Sequence, residues 1–379
     1  MISVSEDSSM GKAVRAPFSL VRLRLTDFRN YASVDVDLRE GLNLAIGPNG
    51  QGKTNLLEAI YLLGTSRLLR GTRDLEAVRE GTVRARAEGT LAEFGTELAI
   101  ELEAGTRKRA TLNGVGLKRA SDLMGRLPVV AFSAADLPVV SGQPSERRLF
   151  LDLHLAQLYP AYREHLTQYK RALEQRNALL KLGQDRSMPD ELYESWEALL
   201  ADHGASLRQF RRAFLEDFEP EARSAHAELA EGERLGVTYD PHDAGDTADA
   251  LAQSLAEHRR SEVARGTTGI GPHRDDLALT IEGREARHFG SQGQQRTAVV
   301  SLKLAVLACT ERILGAPPIL LLDDVFSDLD KVRQSHLLER VRTGCSQVLL
   351  TCTDAAQVGS WAMEAGRVMR VLAGTVTIE

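Results

Sequence analysis

Two hydrophobic periods alternate along the chain. Near its start, Val21, Leu23 and Leu25 alternate with Arg22 and Arg24, and Val34, Val36 and Leu38 alternate with Asp35 and Asp37. A period of two puts one face of a strand inside and the other in water. The same alternation predicts strands within 82–92, 97–102 and 109–112, and the apolar run 129–132 predicts a short buried strand. From residue 145 to about 260 the period becomes helical: Leu166, Tyr169, Leu173 and Leu180 recur on one face, and Leu199, Leu207, Phe210, Phe214 and Phe218 on another. Breaks are expected at 183–189 and at Pro220. Beyond residue 266 strands and helices alternate again, and the run 318–322 has the unbroken apolar character of a buried parallel strand. The pattern predicts an α/β fold in three parts: a tail over 1–17, a discontinuous head over 18–144 and 266–379, and a helical lobe over 145–265 inserted in the head.

The chemistry enters where a strand pattern meets a helix pattern. The apolar run 42–46 is followed by Gly47, Pro48, Asn49, Gly50, Gln51, Gly52, Lys53 and Thr54, and then by a helical run. Glycines at both ends let successive N–H groups turn toward one anion; the lysine reaches β and γ phosphates, and the hydroxyl of Thr54 can hold Mg²⁺. The helix that starts there adds its N-terminal dipole. Asp323 and Asp324 stand at the exit of the 318–322 strand, the sheet edge at which such a loop opens. Asp323 is expected to hold Mg²⁺ through water, and Asp324 to orient or deprotonate the attacking water. Most of the chain separates these carboxylates from Lys53, far more than a small nucleotide kinase or GTPase needs. A third element, Ser291, Gly293 and Gln294, precedes the apolar run 298–314 and offers a second helix start to an anion. It would be redundant within one chain and makes sense facing the nucleotide of a partner chain.

Composition narrows the setting. The chain has 379 residues, 43% of them hydrophobic, and a net charge of −6. That charge argues against a surface that coats polyanions throughout, so any nucleic-acid contact must be local. Basic spots occur at Arg107, Lys108 and Arg109, at Lys118 and Arg119, at Arg211 and Arg212, and at Arg259 and Arg260; each also reads as an ordinary solvated turn or helix face. Cys309, Cys345 and Cys352 have no paired metal spacing and suit a reducing compartment. No apolar run approaches a membrane span and the start lacks the apolar core of a secretory signal, so the cytoplasm is the expected location. Met10 is an alternative start. His273 with Asp275 and Asp276 is too small a group for nuclease metals.

With these residues in place, the sequence resembles the ABC-type ATPase heads shared with SMC proteins. More narrowly, it is similar to the RecF family of bacterial recombination and replication-repair proteins. The resemblance rests on the segment 27–31 before the glycine loop, a signature over 291–296, the strand ending in Asp323 and Asp324, and a following D-loop over 327–330. Further family-like segments are 142–148 with Asp152, 170–177 and 271–277. It implies an ATP-dependent homodimer in which each copy supplies Lys53 and Thr54 to one ATP and Ser291 and Gly293 to the other. It also implies binding of double-stranded DNA near single-strand gaps, cooperation with RecR and RecO in recombinase loading, and no membrane partner. Two departures from the wider ABC pattern, Asp324 in place of glutamate and the stretch 351–353 in place of a switch histidine, imply slow hydrolysis. The rival readings are a nucleotide-gated scaffold without hydrolysis and a transporter ATPase subunit. The segment from Phe28 to Tyr31 is a candidate to flank adenine, with Phe28 packed in the core as the alternative, Arg67 and Arg70 are candidates to reach nucleotide or DNA, and Asp136 to couple nucleotide to the lobe.

Overall fold

A computed structural model of the chain describes residues 18–71, 73–243, 245–325, 333, 334, 337, 339, 345–354, 358 and 366–379. The expected tail and the D-loop lie outside the described residues. In chain order the elements are β1 (Leu20–Phe28), β2 (Tyr31–Asp37), β3 (Gly41–Ile46), α1 (Lys53–Thr65), β4 (Arg84–Leu91), β5 (Glu97–Glu103), β6 (Arg109–Leu112), β7 (Val115–Gly116) and β8 (Val129–Phe132). Then come α2 (Pro138–Ser141), α3 (Pro144–Leu158), α4 (Pro160–Asp185), α5 (Asp190–Leu229), β9 (Leu235–Asp240) and α6 (Ala248–Arg265). The rest comprises β10 (Asp276–Ile281), β11 (Arg284–Glu285), α7 (Ala286–Phe289), α8 (Gln292–Leu314), β12 (Ile319–Asp323), β13 (Gln347–Cys352), β14 (Arg367–Leu372) and β15 (Thr375–Ile378).

The central sheet runs β15-β14-β3-β13-β12-β8 and is parallel except for β15 at its edge. Its strands are apolar on both faces because both faces are covered. Alternate residues feed two separate cores: Leu44, Leu320, Leu322 and Leu350 point toward the helices, whereas Ala45, Leu321, Leu349 and Val371 point toward α1 and the antiparallel sheet β2-β1-β4-β5-β6-β7. The layers are therefore antiparallel sheet with α1, central sheet, and helical lobe with α8, the α/β architecture the periods predict.

Tertiary packing overrides the pattern at four places. Val21 is exposed: a register shift between Leu20 and Arg22 against β4 turns Leu20 inward in its stead. Leu199 is exposed while Leu200 is buried. Pro220 does not break its helix; α5 continues to Leu229 because Phe214, Phe218, Ala222 and His226 form one buried face, which outweighs the one hydrogen bond that proline removes. β9, hidden inside a stretch whose period is otherwise helical, pairs with β10 in a small antiparallel sheet.

The segments 142–148 and 271–277 meet in an ionic joint between that small sheet and the helices, and Arg176 of 170–177 anchors a buried ionic cluster among α4, α5 and α6. Arg147 forks onto Asp276 at 2.8 and 2.7 Å. Arg208 forks onto Asp275 at 2.9 and 2.6 Å, and Arg211 reaches Asp152 at 2.8 Å. Arg176, fully buried, bridges Glu197 and Glu262 at 2.8 and 2.5 Å. Such charges are tolerable inside only when paired, and removing one partner of a buried pair costs roughly 3–5 kcal/mol. Thus Arg211 and Arg259, the latter paired with Glu197 at 2.6 Å, belong to the joint and the cluster respectively and not to a basic surface.

His273 sits in this joint, its Nδ1 2.6 Å from the Tyr169 hydroxyl and its Nε2 3.1 Å from the Thr268 carbonyl. The neutral ring fits both contacts, accepting at Nδ1 and donating at Nε2. Burial pushes its pKa down to about 4 from the ordinary value of 6.5. Because the unfolded chain binds this proton more readily, the contribution is whole above pH 6.5 and is lost as pH falls toward 4. Urea unfolding across that window should show stability falling with pH, with a shallower slope for His273→Asn; equal slopes would remove His273 from the account.

Candidate nucleotide site

The glycine loop leaves β3 and enters α1 as its pattern requires. Gly50 and Gly52 take positive φ values of 78° and 116°, which favour glycine. Gly47 needs its glycine for space, since a Cβ there would run into the main-chain carbonyl of Val371. Gly52 is tight too: a Cβ would lie 2.7 Å from the Asn30 amide and 2.8 Å from the Tyr31 hydroxyl. Lys53 and Thr54 are the first two residues of α1, whose start has no side-chain cap, so its N–H donors are available to an anion. The Lys53 ammonium lies back over the loop and donates to the carbonyls of Gly47 and Pro48 at 2.7 and 2.9 Å. Pro48, Asn49 and Gly50 are exposed.

Asp323, at the end of β12, meets the loop directly. Thr54 Oγ1 donates to Asp323 Oδ1 at 2.7 Å, although β3 and β12 are separated by β13. Thr351 of β13, in register with Asp323, donates to the same oxygen at 3.0 Å and accepts from the Asp324 N–H at 2.9 Å. Burial raises the Asp323 pKa above its ordinary value, and the two hydroxyl donors oppose that rise. These hard oxygens on adjacent elements suit Mg²⁺, which takes one or two protein oxygens and completes its shell with phosphate and water. Asp324 follows with a left-handed φ of 52°.

Ser291 and Gly293 open α8. Ser291 Oγ accepts from the Gln294 N–H at 3.2 Å, and the Gln294 side chain accepts from the Ser291 N–H at 2.8 Å. This capping box uses one acceptor lone pair of the serine, and among the described residues no hydrogen bond takes its O–H, which can donate outward. Ser291 and Gly293 are exposed, and among the described residues no hydrogen bond joins Ser291, Gly293 or Gln294 to the glycine loop. Asp136 touches α8 instead, pairing with buried Lys303 at 2.7 Å.

The segment 28–31 is a brace, which no local pattern reveals. Phe28 and Tyr31 are fully buried, so neither ring is placed to flank adenine. The Tyr31 hydroxyl donates to the Gly52 carbonyl at 2.9 Å and Asn30 to that of Gln51 at 2.8 Å. Arg29 forks onto buried Glu58 of α1 at 2.7 and 2.9 Å. The β14–β15 turn, packed against Asn30, donates its Ala373 N–H to the Gln51 side chain at 2.7 Å. Arg70 donates to Asn55 at 2.8 Å, and Arg67 lines a cleft beside α3. Gly47→Ala should reduce ATP affinity at least about tenfold through displacement of the loop, with little change in melting temperature; wild-type affinity in a fluorescent-nucleotide titration would contradict this geometry.

The RecF/RecN/SMC N-terminal domain family matches residues 19–375. The chain is 41% identical over 374 residues to the DNA replication and repair protein RecF of Symbiobacterium thermophilum, covering 95% of this chain and 98% of that protein. It is 40% identical to the protein of the same name from Synechococcus sp., covering 93% and 96%. A solved structure of the recombination mediator protein RecF-ATP in the RecFOR pathway superposes with a TM-score of 0.89 at 29% identity, covering 98% of this chain and all of that one. The Smc head domain of Pyrococcus furiosus shares the fold, with a TM-score of 0.54 at 15% identity. By sequence and by fold, the chain belongs to the RecF family of SMC-like ATPase heads.

Proposed function

We propose that the chain is an ATP-dependent DNA-binding protein of replication and recombinational repair, pairing with a second copy around two ATP molecules and separating after slow hydrolysis. One observation carries the reading: two helix starts with the chemistry to receive an anion share no hydrogen bond among the described residues, one joined to Asp323 and the other exposed at Ser291. A two-fold pair of heads brings each loop against the other copy's Ser291, Gly293 and Gln294, an isologous contact that encloses both nucleotides.

In this mechanism Lys53 would leave its loop carbonyls for the β and γ phosphates, and Thr54 and, through water, Asp323 would hold Mg²⁺, which would neutralise phosphate charge. Asp324 positions the attacking water. Its side chain is one methylene shorter than the glutamate of ABC heads, and Thr351 is engaged with Asp323, so hydrolysis acts as a slow release step. The partner's Ser291 hydroxyl donates to the γ-phosphate, which makes nucleotide affinity and association reciprocal. The Asp136–Lys303 pair links the β8 exit to the signature helix and supports Asp136 as the coupling residue.

DNA is placed on basic clefts that pairing doubles without changing the sign of the whole chain. One cleft, of about 680 Å³, lies beside α3 and α4 and is lined by Arg67, Arg107, Lys118 and Arg163, none paired with a carboxylate among the described residues. Duplex DNA near single-strand gaps, with RecR and RecO as partners in recombinase loading, is the substrate that family likeness supports. Among the described residues no helix is long and apolar enough to cross a membrane, which accords with work in the cytoplasm.

Light scattering should give a dimer for the wild type with ATP and Mg²⁺ and monomers for Lys53→Met and Ser291→Arg. Under the same conditions DNA binding should require nucleotide and fall steeply with salt. A wild-type monomer at saturating ATP, or equal DNA binding without nucleotide, would overturn the proposal.

A further inference from the structure

A separate cavity of about 880 Å³ opens in the lobe between the start of α3, α6 and the loop before β10. Three arginines line it, Arg148, Arg265 and Arg274. Arg148 donates to the main-chain carbonyl of Asp275 at 2.7 Å, Arg274 to that of Thr268 at 3.1 Å, and Arg265 to the carbonyl and hydroxyl of Ser261 at 3.3 Å each. Among the described residues none of the three has a carboxylate partner, in contrast to neighbouring Arg147, which forks onto Asp276. The one acidic side chain in the lining, Asp243, is already spent. It accepts from Arg208 at 2.7 and 2.8 Å and from the N–H groups of Gly245 and Gly271 at 3.0 and 2.9 Å. Among the described residues the cavity thus presents three guanidinium groups that no carboxylate engages directly.

We propose that this cavity is a second anion site, built for a phosphate group and distinct from the glycine loop. A carboxylate satisfies one planar guanidinium fork, whereas a phosphate offers oxygens on several sides and can engage two or three forks together. Burial, and then repulsion from Arg211, lower the Arg148 pKa although Asp276, Asp152 and Asp275 pull the other way, so a directly bound anion would favour its charged form. Ser145, Ser254 and Thr267 add hydroxyl donors to the same wall. Arg265 and Arg274 are exposed, which suits a phosphate carried on a nucleic-acid strand; a free phosphate compound is the other source. The cavity also abuts the signature turn, because Gln143 in its wall accepts from Arg287 of α7 at 3.3 Å, four residues before Ser291. Only the source of the phosphate rests on the DNA reading above.

The test uses the full chain with a non-hydrolysable ATP analogue saturating the glycine loop, comparing wild type with Arg265→Glu/Arg274→Glu. Anisotropy reads a short labelled oligonucleotide, and calorimetry reads inorganic pyrophosphate. The expected result is oligonucleotide binding weakened about tenfold or more in the variant, with melting temperature and ATP-driven dimerisation unchanged. Pyrophosphate binding that the variant loses, with the oligonucleotide unaffected, keeps the phosphate site and makes its occupant a free phosphate compound. The same pyrophosphate result with a wild type that binds no oligonucleotide keeps the site and removes the DNA reading. Equal oligonucleotide affinity in both proteins, with no pyrophosphate binding that depends on these arginines, overturns the site and leaves the DNA reading in place.

Discussion

The hydrogen bond from Thr54 to Asp323 is the constraint on which the rest of the site depends. It joins the first turn of α1 to the end of β12 across the intervening strand β13, and it can form only if β3, β13 and β12 lie parallel and in their observed register. That register comes from apolar residues alternating between two cores. Thr351 on the middle strand completes the contact by donating to the same carboxylate oxygen. Core packing therefore sets the position of a polar group to within the length of a hydrogen bond.

Elements whose signal is local were legible in the sequence. The glycine loop could be read because glycine, lysine and threonine at that spacing fell between a strand pattern and a helix pattern. Asp323 could be read because a carboxylate ended an unbroken apolar run. What escaped depends on contacts distant in sequence. The brace formed by Arg29, Asn30 and Tyr31 has no periodicity, and Thr351 carries no local signal beyond standing where ABC heads have a switch histidine. Pro220 inside α5 and the outward turn of Val21 show packing overriding a local rule. β9 is short and acquires its meaning only when β10 lies beside it.

The ionic joint and the Arg176 cluster explain why several charged segments belong to structure before they belong to function. Arg147, Arg176, Arg208 and Arg211 hold carboxylates of the lobe and of the β9–β10 sheet, so the helices and the strand leading toward the signature turn are coupled by paired charge as well as by apolar contact. Lys303 and Asp136 make a second link, from the exit of β8 to α8. In the proposed cycle these links carry a change at the nucleotide to the lobe, where the arginines without carboxylate partners lie.

The most direct test of the clamp between copies is complementation. Lys53→Met and Ser291→Arg are each mixed with themselves and then with each other, and ATP hydrolysis is measured in every mixture. A site shared between protomers makes each variant inactive alone, while the mixed pair regains one intact site per heterodimer and, since neither variant pairs with itself, up to about half of wild-type activity at equal mixing. A mixture as inactive as its components, or a Ser291→Arg protein that hydrolyses ATP unaided, would contradict the account.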